Sequence, residues 1–246
     1  MFWSKKEEKA ALDAVVHSAG KPATELIVEE AVSEDHVFPA AATHFGGTPY
    51  FEAGDAWPIL ADDGRPYDFV CQVNIQDCPE RPDVPFDLFT VFLCWAATED
   101  MDRFCVVKTY QGASASKAVT IPRPDPREAT DYKVRPCTVG MGTFTTYPWS
   151  MERFPDIMTA ATKFRNPSDA YEASLKRLGF RSVFRSRVGG YATWVHDNTL
   201  ESDDMVLLAQ IDYEPKANNC IVDAAPIYIG VSTAGPLRIE TDFQTF

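Results

Sequence analysis

The chain has 246 residues, 45% hydrophobic and 24% charged, a globular composition long enough for one large domain or two fused small ones. Sixteen Phe, nine Tyr and five Trp exclude large-scale disorder, because each ring must remove about 150–250 Å² from water. The formal charge of −13, from 36 acidic against 23 basic residues, repels phosphate backbones and anionic lipid heads. It therefore argues against nucleic acid and membranes as partners and favours a basic protein.

The start, "MFWSKKEEKAALDAVV", has positive charge but no unbroken apolar run. No later stretch reaches the roughly 18–20 apolar residues of a membrane span, so a soluble, unexported, cytoplasmic chain is expected. Leu12, Val15, Val16 and Ala19 fall at helical spacing, which predicts a helix over Glu7 to Ala19, stopped by Gly20 and Pro22. "TELIVEEAV" alternates as a strand. "FVCQVNI" (Phe69 to Ile75), "LFTVFLCWA" (Leu88 to Ala96) and "RFCVVKTY" (Arg103 to Tyr110) read as further strands, with a tight turn at Asp63-Gly64 and an acidic turn at "ATEDMD".

From Gly112 the character changes. "IPRPDPREATDYKVRPC" carries four prolines and little periodicity, which predicts an irregular connection with room for one added strand. Two helices follow, one over Met151 to Phe164 interrupted near Pro155, and one over Asp169 to Leu178 with Ser168 as N-cap and Gly179 beyond its end. The final third returns to β character in "GYATWVH", "MVLLAQIDY" (Met205 to Tyr213) and "APIYIGV" (Ala225 to Val231).

One pattern occurs twice. "THFGGTPYF" (Thr43 to Phe51) is echoed by "SRVGGYATW" (Ser186 to Trp194), and each glycine pair is followed by a strand bearing a glutamine in an apolar setting. Gln72 precedes Phe89 by 17 positions and Gln210 precedes Ile227 by 17. The echo predicts an internal duplication. The expected fold is α+β: a single domain, 1–246, of two similar, mainly antiparallel β-sheet halves, 24–111 and 180–246, joined by 112–179 with peripheral helices.

These stretches, in this order, resemble the YwqG-like family of bacterial proteins. The resemblance rests on "FGGTPYF" with the following "AWP", "FVCQVNI", "LFTVFLCW", "RVGGYATWVH", "LLAQID" and "DAAPIYIGV". Tyr191-Ala192-Thr193-Trp194 lacks the proline of the family's GG-x-P-x-W. The resemblance implies two similar β-sheet halves and no established reaction. It also implies a role, seen for some members beside secreted toxins, as an immunity protein.

The residues themselves offer little chemistry. The four histidines (His17, His36, His44, His196) are scattered without a zinc spacing, although His44 and His196 both flank glycine pairs. The six cysteines show no C-x-x-C pair, and mid-strand Cys71 and Cys94 read as buried, unreactive thiols. Neither glycine pair has the Lys-Ser/Thr of a P-loop or a third dinucleotide glycine. No catalytic, metal-binding or cofactor-binding residue is therefore assigned.

Gly46, Gly47, Gly189 and Gly190 are assigned structural roles at positive φ or close backbone approach, and Gln72 and Gln210 the role of bonding the glycine-pair loops. Acidic loops carry Glu52, Asp55, Asp62, Asp63, Glu99, Asp100, Asp102, Glu201, Asp203 and Asp204. The expected function is a non-catalytic immunity protein that occludes a basic, nuclease-like toxin. Asp62, Asp63, Glu99, Asp100, Glu201, Asp203 and Asp204 would steer the partner, and Trp149 or Tyr147 would anchor it. The alternative is an enzyme or small-ligand binder using a cleft between the halves.

Overall fold

A computed structural model describes residues 5–62, 64–94, 101–124, 133–180, 185–196, 200, 204–219 and 226–244. In chain order the elements are α1 (Lys5–Ser18), β1 (Lys21–Ala31), β2 (His44–Phe45), β3 (Asp68–Asn74), β4 (Leu88–Leu93), α2 (Met101–Phe104) and β5 (Cys105–Tyr110). There follow β6 (Cys137–Thr146), α3 (Pro155–Ala161), α4 (Pro167–Arg177), β7 (Arg187–Val188), β8 (Met205–Ile211), β9 (Ile227–Ser232) and β10 (Ile239–Phe243).

All ten strands join one sheet in the order β10-β9-β8-β7-β1-β6-β2-β3-β4-β5, and every described pairing is antiparallel. The end strands meet: the rings of Phe104, at the entry to β5, and Phe243 of β10 lie 4.4 Å apart. The sheet thus curls into a nearly closed barrel. Its interior holds one core, to which β1, β3, β4, β8 and β9 contribute Leu26, Val73, Phe89, Ile211 and Ile229.

Strand β4 shows why its sequence is apolar at nearly every position. Phe89, Val91 and Leu93 point into the barrel, whereas Phe92 points outward beneath Phe51, Trp57 and Tyr67. A strand covered on both faces loses the polar alternation of a half-exposed one.

The strand order has an internal regularity. Advancing β1 to β5 by five gives β6 to β10, and β1 paired with β7 then corresponds to β6 paired with β2. Each five-strand arm of the barrel therefore includes a long strand from the other part of the chain. The strand added within the Pro-rich connection is β6. It pairs with β1 from Lys21↔Thr146 to Ala31↔Cys137, so the arms join through a continuous ladder. Gly140 and Gly142 of β6 leave the space that Glu29 and Ile27 of β1 fill.

Three local expectations change. Pro155 does not interrupt a helix; it opens α3, where a missing N–H costs nothing. Helix α4 is capped by Asn166, whose Oδ1 accepts from Asp169 N at 3.4 Å, because Pro167 starts the helix one residue ahead of Ser168. "GYATWVH" is not a strand but an irregular segment laid on the sheet's outer face.

The end of α4 follows its sequence signal. Gly179 takes φ +78°, Gly179 N donates to Lys176 O and Phe180 N to Leu175 O, which closes the helix with a left-handed glycine cap. Helix α1 packs Leu12 and Val16 against Ile157, Ala161 and Tyr171 of α3 and α4. The Arg177 guanidinium, 2.6 Å from Asp13, holds that carboxyl below its usual range.

Candidate functional site

The two glycine pairs build matching corners. His44 and Phe45 face Gln72 and Cys71, and Arg187 and Val188 face Gln210 and Ala209. Gly46 N donates to Val70 O at 2.8 Å and Gly189 N to Leu208 O at 2.9 Å, each beside a bulge in the receiving strand. Gly46, Gly47, Gly189 and Gly190 have φ of +56°, +75°, +72° and +73°, a region that side chains disfavour.

Both glutamines are fully buried. Gln72 Oε1 accepts from Tyr50 N at 2.8 Å, and its Nε2 donates to Ala40 O and Ala42 O. Gln210 Oε1 accepts from Thr193 N at 2.9 Å and from Arg187 Nη2. Each glutamine therefore supplies what the neighbouring ladder would otherwise give to an irregular loop.

The second corner differs from the first in the polar groups it carries. Where the first arm has His44, Gln72 and Thr90 in register, the second has Arg187, Gln210 and Tyr228. Arg187 is almost fully buried and donates to Thr193 Oγ1 at 2.7 Å; Tyr228 donates to Thr193 O at 2.7 Å, and its ring lies tilted against Trp194 at 4.2 Å. Two residues beyond Gln210 lies buried Asp212. Among the described residues, its Oδ2, Gln210 Nε2 and Trp194 Nε1 make no hydrogen bond of regular geometry, although the Gln210 amide is close enough to favour the ionised carboxylate. Burial pushes the Asp212 carboxyl up to about 6 despite the bond from Tyr213 N and the nearby Arg187 guanidinium.

Sequence reading missed this cluster. The detectable signal was an arginine in "RVGG" at the position that His44 occupies in the first motif.

The remaining nucleophile and metal candidates are occupied by packing. His44 stacks on Phe38 at 4.1 Å and its Nδ1 lies 2.7 Å from Gly46 O. Burial lowers its pKa to about 4, so it serves the corner as a neutral ring. His196 lies in the second arm, where its backbone amide bonds Gln244 Oε1. Among the described residues, no three His, Cys, Asp or Glu side chains gather as a metal site requires.

Cys71, Cys78, Cys94, Cys105 and Cys137 are buried free thiols. Burial pushes Cys78 up to about 11, Cys105 up to about 12, and Cys71 higher still. Iodoacetamide at pH 8 is expected to leave all five unmodified in the native protein and to label them after denaturation, read peptide by peptide in a mass spectrum. Native labelling of Cys71 would contradict this packing.

Of the acidic residues proposed to steer a partner, Asp63, Glu99, Asp100, Glu201 and Asp203 lie outside the described residues. Asp62 is 71% exposed but sits 2.6 Å from Arg103. Asp204 lies 2.8 Å from Arg238, which also pairs with Glu240. Both carboxylates thus carry counter-ions of their own. Such exposed pairs add only about 0–1 kcal/mol of stability, but they reduce the bare negative charge on offer.

Trp149 is 43% exposed and stands at a groove of 460 Å³ between the segment leaving β6 and helix α4. Tyr147, Tyr171 and Phe180 form apolar walls, with Tyr171 fixed by its bond to Pro148 O at 2.5 Å and Tyr147 edge-on to Phe180 at 5.6 Å. Glu152 and Glu172 also line the groove.

No helix among the described residues is long and apolar enough to cross a membrane. No curated protein matches the sequence. A family model described as "Domain of unknown function (DUF1963)" matches residues 43–234, which include both glycine pairs and every strand from β2 to β9. With most of its length matched, the chain belongs to the DUF1963 family.

Proposed function

We propose that this chain is a non-catalytic, cytoplasmic immunity protein of YwqG-like type, which binds a basic, nuclease-like secreted toxin and occludes its active site. The observation that carries the reading is Trp149: a large aromatic, 43% exposed, at the mouth of an apolar groove on a chain of net charge −13. Half-exposed tryptophans beside apolar pockets are favoured anchors of protein interfaces, and a strong net charge speeds encounter with an opposite field. Asp62 and Asp204 are offset by Arg103 and Arg238, so the field is that of the whole chain, and the anchoring contact is at the groove. The two arms are proposed as copies of one five-strand unit whose long first strands, β1 and β6, have been exchanged.

The test is co-expression with a toxin encoded next to this chain, scoring survival and co-purification. Protection and a stable complex are expected. Trp149→Ala is expected to weaken the complex by about 2 kcal/mol, or roughly 30-fold, without changing the melting temperature. Survival of cells lacking this protein, or no complex at micromolar concentration, would sink the reading.

The alternative of a small-ligand site between the halves has less to stand on. The ladder of β1 and β6 occupies the junction, and Gly190 is pressed against Ala23 and Thr146.

A further inference from the structure

We propose that the Trp149 groove seats an arginine or lysine side chain presented by a basic protein partner. This inference rests on the partner-binding reading above and names the chemistry of its central contact.

Two features of the groove favour a cation. First, its walls are aromatic, and Trp149, 43% exposed, is one of the side chains lining it. A cation near an indole is attracted by the ring quadrupole, the more strongly as water is excluded. Second, two carboxylates border the same space. Glu152 follows Trp149 by three residues, and Glu172 stands on the exposed side of α4, whose Tyr171 and Leu175 turn toward the groove. An apolar occupant would strip water from both carboxylates and return nothing, whereas a guanidinium or ammonium would pair with them.

Against these stands one resident cation, Lys176, a turn beyond Glu172 on α4. Glu172 and Lys176 at i, i+4 can pair with each other, which leaves Glu152 as the carboxylate with least local competition. The net balance at the mouth remains negative, in line with the charge of the whole chain. The arrangement selects a basic side chain and disfavours an acidic or neutral one.

A protein-borne cation fits better than a free one for a physical reason. The groove is open and its aromatic contact is modest, so one small cation would bind weakly. The field of a chain at −13 acts on every charge of a basic surface at once.

The test uses the full chain labelled with ¹⁵N and follows the Trp149 indole N–H, identified by its disappearance in Trp149→Phe. Hexa-arginine is titrated at low salt. A saturable shift of that signal is expected, and Glu152→Gln/Glu172→Gln should weaken binding by about fivefold or more at an unchanged melting temperature. Glu29→Gln/Glu30→Gln, which removes two exposed carboxylates of β1, should leave the affinity within about twofold.

Equal losses in the two double variants would reduce the effect to the general field and overturn the site. Free arginine amide binding as tightly as hexa-arginine would overturn the protein partner in favour of a small cation. A toxin complex that forms while hexa-arginine fails to move Trp149 sinks this inference alone. A cation-binding groove with no toxin complex sinks the immunity reading alone.

Discussion

Gly46→Ala is expected to destabilise the protein by about 2–5 kcal/mol, while Gly189→Ala, at the matching position of the second corner, costs only about 1–2 kcal/mol. Both residues sit at positive φ, +56° and +72°, and share the penalty of a side chain in left-handed backbone. The surroundings differ. A Cβ on Gly46 would lie 2.5 Å from Arg135 O and 2.7 Å from Val134 O, backbone atoms leading into β6 that cannot swing aside. A Cβ on Gly189 meets nothing within 4 Å.

The second residue of each pair reverses this asymmetry. A Cβ on Gly190 would approach Thr146 Oγ1 at 2.5 Å, and a Cβ on Gly47 would meet only the edge of the Phe38 ring at 3.1 Å. Chemical denaturation followed by circular dichroism, comparing midpoints at constant slope, separates the four variants. Equal losses for Gly46→Ala and Gly189→Ala would show that the corners are held by dihedral preference alone.

Asp212→Asn is expected to stabilise the protein at pH 7.5 by about 2–3 kcal/mol, a gain that disappears by pH 4. The sign follows from burial. The folded-state pKa of Asp212 is raised from 3.8 to about 6, so between these values the folded chain binds more protons than the unfolded chain. Its contribution to stability therefore falls as pH rises through that window and is lowest above about 6, where the carboxylate is charged and buried and Oδ2 has no hydrogen bond of regular geometry among the described residues. Asparagine keeps the oxygen that accepts from Tyr213 N and removes the charge.

Thermal or urea unfolding of both proteins from pH 4 to pH 8 reads the difference directly, because other titrating groups are common to the pair. A gain of the same size at pH 4 would mean that the amide acts by packing. A loss at pH 7.5 would mean that the Arg187 guanidinium depends on the carboxylate for its own burial.

The elements with short-range signals were legible. Glycine pairs imply backbone that only glycine adopts easily, a glutamine amid Val and Ile must find partners, and Gly179 after a basic last turn closes a helix. Each is a statement about a residue and its immediate neighbours. The repeat of "GG" and a Gln-bearing strand likewise showed that two corners would be built alike, since identical local chemistry solves an identical backbone problem.

What joins the corners was not legible, because its causes lie far apart in the chain. One added strand is expected in the connection, but "CTVGMGTFTT", strand β6, has too many glycines and threonines to mark its place. It is a strand because β1 and β2 flank it with donors and acceptors, and because its glycines accept the side chains of Glu29 and Ile27. The same holds for Arg187, Asp212 and Tyr228, which come from three strands and their ends, and for the groove where Trp149 meets a helix that begins 18 residues later. Sequence alone determined the corners, the buried glutamines and the net charge; only tertiary contact decided the pairing of β1 with β6, the buried arginine and the aromatic groove. Local backbone preference acts over a few residues, whereas burial and charge pairing exist only after distant segments have met.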